Sequence, residues 1–178
     1  MASVTPGERG DPSLSLVRAH PRLRIAAYAV ALALLVVVAA WVSTHPEELP
    51  TSGARVDAST PADVPVYLGV FGPGAGFDRS LHVSGIRVFA TSTVDVTIVP
   101  HLCRGGAVSV TTTPDSFCTE LVDTEDSAFV AGDEIVLEVR GEEPGVVDID
   151  RVRVAYRDGL QWAVQDAGEP ARVTILAR

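Results

Sequence analysis

The hydrophobic pattern divides the chain into an early apolar run and a long region in which apolar and polar residues alternate. The run from Ile25 to Val42 has eighteen residues and carries no charged side chain. A helix rises about 1.5 Å per residue, so a run of this length covers roughly 27 Å, close to the hydrocarbon thickness of a bilayer. Residues 25–42 are therefore predicted to form a single transmembrane helix, which makes the lipid bilayer the first partner of the chain.

The charges that flank this run predict its orientation. Arg18, Arg22 and Arg24 precede it, whereas acidic residues follow it. Because basic residues stay on the cytoplasmic side of a membrane helix, we expect the N-terminus in the cytoplasm and the C-terminal part in an extracellular or periplasmic space. A cleaved signal peptide, cut after Val38-Ala39-Ala40, is the alternative. The run and the segment before it are long for a signal peptide, which favours an uncleaved anchor.

The segments on either side of the helix lack the periodicity of a folded element. Residues 1–24 are predicted to be a disordered, basic cytoplasmic tail, since their first part is rich in Ser, Gly and Pro. Residues 43–65 contain four prolines among Ser, Thr, Gly and acidic residues, a composition that resists helix and sheet. We expect this segment to be a Pro-rich linker that spaces the outer domain from the membrane.

From residue 66 onward, apolar residues recur at every second position, most clearly in the runs that begin at Ile135 and Leu160. This alternation indicates strands with one face in a core and the other in water. Turn sequences separate the runs, and Arg157-Asp158-Gly159 is expected to form a tight hairpin. About eight or nine short strands at this spacing are typical of a β-sandwich. Residues 66–178 are therefore predicted to form an all-β extracytoplasmic domain, a sandwich of jelly-roll or immunoglobulin-like type.

One run changes its phase. Val147 and Ile149 have one parity, whereas Val152, Val154 and Tyr156 have the other. A bulge or bend near Asp150-Arg151 is predicted to reconcile the two. The run from 146 to 156, VVDIDRVRVAY, resembles a late strand of jelly-roll carbohydrate-binding modules, in which an acidic and apolar stretch precedes an alternating valine strand. The resemblance covers only this run and transfers no binding residue.

Charge and composition narrow the classes of function. Residues 57–178 carry nineteen acidic residues against nine arginines. Nucleic-acid binding requires a basic surface, so this balance argues against a nucleic-acid partner. The chain contains neither Lys nor Asn, whose codons are rich in A and T, and this absence indicates a GC-rich bacterial genome.

The chain has two cysteines, Cys103 and Cys118. Outside the cytoplasm, two cysteines at this separation are expected to form a disulfide bond. Closing a loop of this size stabilises a fold by about 3 kcal/mol. Thiol chemistry is the alternative, but it requires a CxxC-like pair or an activating base, and neither is evident in the sequence.

The candidate metal ligands do not form a recognisable motif. His101 lies close to Cys103, but a transition-metal site needs three or four ligands, and the predicted domain has only one other histidine, His82. Calcium prefers carboxylates on loops, yet the spacing of a calcium loop is missing from the sequence. A solvated acidic face is the preferred interpretation, and we expect no metal or other cofactor. The weak calcium candidates are Asp123, Glu125, Asp126, Asp148 and Asp150.

The sequence predicts a non-catalytic envelope module that binds a protein. It has no G-x-S-x-G nucleophile motif, and its carboxylates are too numerous for any one pair to indicate an enzyme. A glycan is the less favoured ligand, because the platform residue Trp162 alternates with Leu160 and Val164 and is expected in the core. Tyr156 and Tyr67 are the other platform candidates.

Three alternatives stay open at this point. The partner can be another membrane protein that packs against the alanine-rich helix. The domain can be an exported hydrolase that uses a carboxylate pair, or a purely structural spacer or assembly subunit. A concave cleft with two carboxylates of shifted pKa would favour the hydrolase, whereas a flat exposed apolar patch would favour a protein partner.

Overall fold

The computed structural model describes residues 21–74 and 76–178. Pro21–Thr44 forms helix α1, and the stretch Arg24–Ser43 within it is long and apolar enough to cross a membrane. Its large apolar side chains are exposed on every face, as expected for a helix that contacts lipid. This helix agrees with the membrane span predicted at 25–42. The predicted disordered tail falls outside the described residues, except for 21–24, which are helical.

The rest of the described chain is mostly β-sheet. Thirteen segments form strands, and one short 3-10 helix lies at Pro114–Ser116. The strands are β1 (Val56–Pro61), β2 (Val66–Phe71), β3 (Leu81–Arg87), β4 (Ala90–Ser92), β5 (Val96–Arg104), β6 (Val110–Thr111), β7 (Glu120–Asp123), β8 (Ser127–Phe129), β9 (Glu134–Gly141), β10 (Gly145–Ile149), β11 (Val152–Asp158), β12 (Gln161–Ala167) and β13 (Ala171–Leu176).

Backbone hydrogen bonds group these strands into three sheets. Their orders are β1-β13-β10-β4, β12-β11-β3-β8 and β6-β2-β9-β5-β7. Neighbouring strands are antiparallel, except that β1 runs parallel to β13. Period-two alternation thus predicted the mostly β class of this part of the chain correctly.

The main hydrophobic core collects inward residues from all three sheets. Strand β9 lies at the centre of the third sheet, where its inward face is buried and Val136 is buried on the opposite face. Ile135 and Leu137 pack into the main core, whereas Val136 contacts a smaller cluster formed with the two cysteines and Val108. Each such side chain contributes about 1.5–3 kcal/mol when it leaves water, so β9 is a main source of stability.

The predicted linker needs correction, because part of residues 43–65 is folded into the domain. Val56–Pro61 is strand β1, which pairs with β13 from Val56↔Ala171 to Pro61↔Leu176. Leu49 and Ala62 are buried in the core, and the buried Thr60 hydroxyl donates to the carbonyl oxygen of Val64 over 2.9 Å. The folded domain therefore begins well before residue 66.

The change of phase between β10 and β11 marks a change of sheet. Val147 and Ile149 are buried on β10 in the first sheet, and Val152 and Val154 are buried on β11 in the second. Asp150 and Arg151 connect the two strands and are exposed. The predicted bend at these residues therefore lets one chain supply inward side chains to both sheets.

Candidate interaction surface on the β11–β12 hairpin

The hairpin formed by β11 and β12 positions the candidate site. The strands pair antiparallel from Asp158↔Gln161 to Val152↔Ala167, and Gly159 and Leu160 connect them. Gly159 has a φ of 56°, a conformation that glycine adopts without steric cost. The predicted Asp-Gly hairpin turn is therefore present at this position.

The apolar residues of β11 face the core. Val152, Val154 and Tyr156 are buried, and the Tyr156 hydroxyl donates to Oε1 of Gln165 over 3.0 Å. Oε1 of Gln165 also accepts a hydrogen bond of 2.9 Å from the backbone N–H of Leu49. A polar residue on the inward side of β12 thus satisfies the one polar atom of the Tyr156 side chain.

The two large apolar residues of β12 face outward, which makes the core prediction for Trp162 wrong. Trp162 and Val164 are each 63% exposed, and Leu160 is 88% exposed. Residues that pair across antiparallel strands share a face, and Trp162 pairs with the exposed Arg157. Ala163 instead pairs with the buried Tyr156. The register set by the two-residue turn therefore decides which residues of β12 reach the core.

Arginines surround this exposed apolar strip. The guanidinium carbon of Arg157 lies 5.5 Å from the centroid of the Trp162 ring. The guanidinium carbon of Arg153 lies 5.3 Å from the Phe89 ring centroid, and Arg153 Nε donates to Asp166 over 2.9 Å. Arg87 on β3 pairs directly with Arg153. We define the outward face by the residues Arg87, Phe89, Arg153, Arg157, Trp162 and Val164.

The outward face differs in charge from the rest of the domain. It carries three of the nine arginines of residues 57–178, while that region has nineteen acidic residues. Arg87 and Arg153 lie opposite each other on neighbouring strands, and Asp166 compensates the charge of Arg153. The face therefore presents apolar contact area together with positive charge.

A second feature is a cleft of about 880 Å³ with glycine-rich walls, lined in part by Phe71, Ser109, Asp133, Glu134 and Glu169. This volume falls in the range of small-molecule sites, so the contacts of the carboxylates in the cleft decide whether they are available to a ligand. None of the described residues that line the cleft is a histidine.

The contacts of Asp133 and Glu134 are structural. Asp133 is buried and accepts hydrogen bonds from Arg104 Nη1 at 2.8 Å, from Gly105 N at 3.2 Å and from Val130 N at 3.1 Å. Glu134 accepts a hydrogen bond from Val108 N. Burial raises the pKa of Glu134, and the hydrogen bond from Val108 acts in the opposite direction. Both carboxylates hold the loop after β5 in place.

The structure places the two cysteines together. The Sγ atoms of Cys103 and Cys118 lie at disulfide-bond distance, and their Cα atoms are 5.2 Å apart. Cys103 is on β5 and Cys118 just precedes β7, which pairs with β5 from Arg104↔Glu120. The pair therefore closes the loop between two neighbouring strands.

The calcium candidates lie in two separate places. Asp123 and Asp126 flank the turn between β7 and β8, where Asp123 Oδ1 accepts from Glu125 N and Asp126 lies 3.7 Å from His82 Nε2. Asp148 is on β10 in another sheet and accepts a hydrogen bond of 2.7 Å from Arg172 Nε. That bond lowers the pKa of Asp148. The described residues bring no three potential metal ligands of the types His, Cys, Asp and Glu together.

The arginines of β11 indicate the outward face in the sequence itself, although the alternation within β12 alone does not. Arg153 and Arg157 alternate with the valines of β11, so the hairpin turn places the partners of these arginines in β12 on the solvent side. No family model, curated protein or solved structure matches the chain. The surfaces of this domain are therefore the basis for a functional proposal.

Proposed function

We propose that the chain is a single-pass, membrane-anchored envelope protein without catalytic activity, whose outer domain binds a protein partner through the outward face. In this proposal α1 crosses the membrane with its N-terminus in the cytoplasm. The three sheets form a sandwich-type domain on the other side of the membrane. The Sγ atoms of Cys103 and Cys118 lie at disulfide-bond distance, which supports a location outside the cytoplasm, where disulfide bonds persist.

The exposure of Trp162 and Val164 is the observation that carries the proposal. Soluble surfaces rarely leave a tryptophan and neighbouring apolar residues uncovered, and such patches mark interaction sites. Trp and Arg are also the residues that dominate binding energy at protein interfaces. The outward face combines both types within one hairpin and the strand beside it.

The charge of the face indicates an acidic partner. Arg157 lies over Trp162 at the solvent side, where it is available to a carboxylate. Arg153 is already paired with Asp166 at 2.9 Å, so the positive charge that the face offers to a partner is that of Arg87 and Arg157. Complementary charge of this kind increases the rate of encounter and selects the partner.

A protein fits this face better than a glycan does. Of the three aromatic candidates for a sugar platform, Tyr156 is buried in the core and Tyr67 is only partly exposed, on another sheet. The ring of Trp162 has an arginine guanidinium over it. A planar sugar-binding platform would need a free aromatic ring, whereas a protein interface can retain the Arg–Trp contact.

The test is site-specific photo-crosslinking of the full chain in intact cells. A photoreactive amino acid at Val164 is expected to capture one dominant acidic neighbour. The matched control has the same amino acid at Thr97, an exposed position on β5 in a different sheet, and should not capture it. Arg157→Glu, introduced into the chain that carries the photoreactive amino acid at position 164, should reduce the yield of the crosslinked complex severalfold. Equal capture from both positions, or none from Val164, would contradict the proposal.

A further inference from the structure

We infer that the partner binds by adding an extended, acidic segment as a new strand to the free edge of β12. This inference rests on the proposed function, because it specifies how the partner occupies the outward face. Its basis is different, since it depends on the backbone of the strand rather than on the side chains of the face. Strand addition supplies affinity through main-chain hydrogen bonds and specificity through alternate side chains.

β12 differs from the other strands at the edges of the three sheets. β4 and β8 have three residues each, and β6 has two. β7 has four residues, two of them acidic, and β1 ends in a proline. Short length, charge and proline are the devices that keep edge strands from pairing with other chains. β12 has seven residues, and only Asp166 among them is charged.

The turn of the hairpin indicates which backbone groups point away from β11. In a two-residue hairpin the pair that closes the turn is hydrogen-bonded, and hydrogen-bonded and non-hydrogen-bonded pairs alternate along the ladder. The closing pair here is Asp158↔Gln161. The N–H and C=O groups of Trp162, Val164 and Asp166 consequently point toward the free edge, on the three residues whose side chains face solvent.

The chain itself already uses the end of this edge. Ser52 N donates to the carbonyl of Gly168 over 3.0 Å, and Gly168 N donates to the carbonyl of Pro50 over 2.9 Å. This parallel bridge covers the position just after β12. Within the described residues, the backbone of Gln161–Asp166 has no comparable partner apart from β11. An added strand would therefore continue an edge whose end is already paired.

The side chains along the edge define the chemistry of the added strand. Its outward residues would stand beside Trp162 and Val164, about 4.8 Å away as in any sheet. An apolar residue there would cover Val164, and a carboxylate beside Trp162 would come within reach of Arg157, which already lies over that ring. A segment in which acidic and apolar residues alternate on its outward side fits both positions.

The experiment measures the binding of a defined peptide to the full chain in lipid nanodiscs. The probe is a fluorescein-labelled synthetic peptide of repeated Glu-Thr-Val-Thr, which places Glu and Val in turn on one face of a strand, and the matched control peptide has Lys in place of each Glu. Fluorescence anisotropy should show saturable binding of the Glu peptide and at least tenfold weaker binding of the Lys peptide. Failure of the Glu peptide to bind, or equal binding of the two peptides, would overturn the inference.

Two variants at one position test the backbone. Val164→Pro removes an N–H that points to the free edge and does not take part in the pairing with β11, a position where edge strands accept proline. Val164→Ala loses a similar amount of side-chain contact area as Val164→Pro does, but it keeps the backbone N–H. We expect the proline variant to bind the Glu peptide about tenfold more weakly than the alanine variant, with the same melting temperature.

The outcomes separate this inference from the proposed function. If Trp162→Ala and Arg157→Glu weaken binding while Val164→Pro and Val164→Ala bind equally, the outward face binds the peptide but not by strand addition, and the inference fails alone. If none of the four variants changes binding, both fail. If the chain associates with itself in the absence of peptide, and Val164→Pro abolishes this association, then the edge binds a second copy of the chain. That result would overturn the inference that an acidic segment binds there.

Discussion

The two strands of the β11–β12 hairpin have the same alternating pattern and opposite exposure. In β11 the residues Val152, Val154 and Tyr156 are buried, and Arg153 and Arg157 are exposed. In β12 the apolar residues Trp162 and Val164 are exposed, and the residues between them face the sheet interior. Period-two alternation therefore shows that a segment is a strand, but it does not show which face of the strand is buried.

The difference arises from register. The core accepts only one of the two faces of the second sheet, and β11 fills it with Val154 and Tyr156. Because Gly159 and Leu160 form a two-residue connection, the parity of β12 follows from that of β11. A connection longer by one residue would turn Trp162 inward, where Tyr156 and its neighbours already occupy the space. The exposed strip on β12 is thus fixed by the turn.

The largest expected effect is on the inner side of the hairpin. Tyr156→Ala removes a buried ring and should lower the free energy of unfolding by about 4 kcal/mol. Tyr156→Phe keeps the ring and loses the hydroxyl, which donates to Gln165 over 3.0 Å and accepts from Arg79 over 3.4 Å, so about 1 kcal/mol is expected. Denaturant unfolding of the full chain in detergent measures both. Equal losses for the two variants would show that the ring does not contribute through burial.

The second largest effect is expected at β7, which forms an edge of the third sheet as β12 forms an edge of the second. There the Cys103–Cys118 pairing joins β5 to the segment that leads into β7. Replacing both cysteines by alanine should lower the free energy of unfolding by about 3 kcal/mol, as expected for a loop of this size. A reductant should reproduce this loss in the native chain and leave the double variant unchanged. A native chain that is insensitive to the reductant would contradict the predicted bond.

How much of this fold can be predicted depends on whether the determining contacts are local. Helix α1 follows from an unbroken apolar run, and the hairpin turn follows from Asp158-Gly159, so both could be predicted. β1 pairs with β13, which lies more than a hundred residues away, and the prolines around it suggested a linker. The face of Trp162 depends on a partner strand, and the cleft at Glu134 depends on five separate segments. Local pattern does not contain such information.

Buried and exposed carboxylates also differ, and this difference predicts that the free energy of unfolding depends on pH. Burial raises the pKa of Glu134 above its usual value of 4.5. The folded state then holds this proton more tightly than the unfolded state, so the contribution of Glu134 to stability is present below pH 4.5 and is lost as pH rises through the raised pKa. Glu134→Gln removes this loss and leaves an oxygen to accept from Val108.

The measurement is the difference in free energy of unfolding between Glu134→Gln and the native chain at several pH values. This difference should become more favourable to the variant as pH increases, because the other titrating groups cancel. Glu142→Gln removes the same charge from an exposed position and is the matched control. A difference that stays constant with pH for Glu134→Gln would show that burial does not affect this carboxyl group.

The smallest expected effect on stability is at Trp162, the outer counterpart of Tyr156. Because its ring is largely exposed, Trp162→Ala should change the free energy of unfolding by less than about 1 kcal/mol, mostly through the contact with Arg157. The same substitution should abolish the Val164 photo-crosslink, since Trp162 is the principal apolar contact of the outward face. Thermal unfolding and crosslinking of one preparation measure both quantities. If Trp162 is dispensable for folding but required for capture, its role is in binding. A large loss of stability would instead mean that the ring packs within the domain, and that the outward face has been assigned to the wrong side of β12.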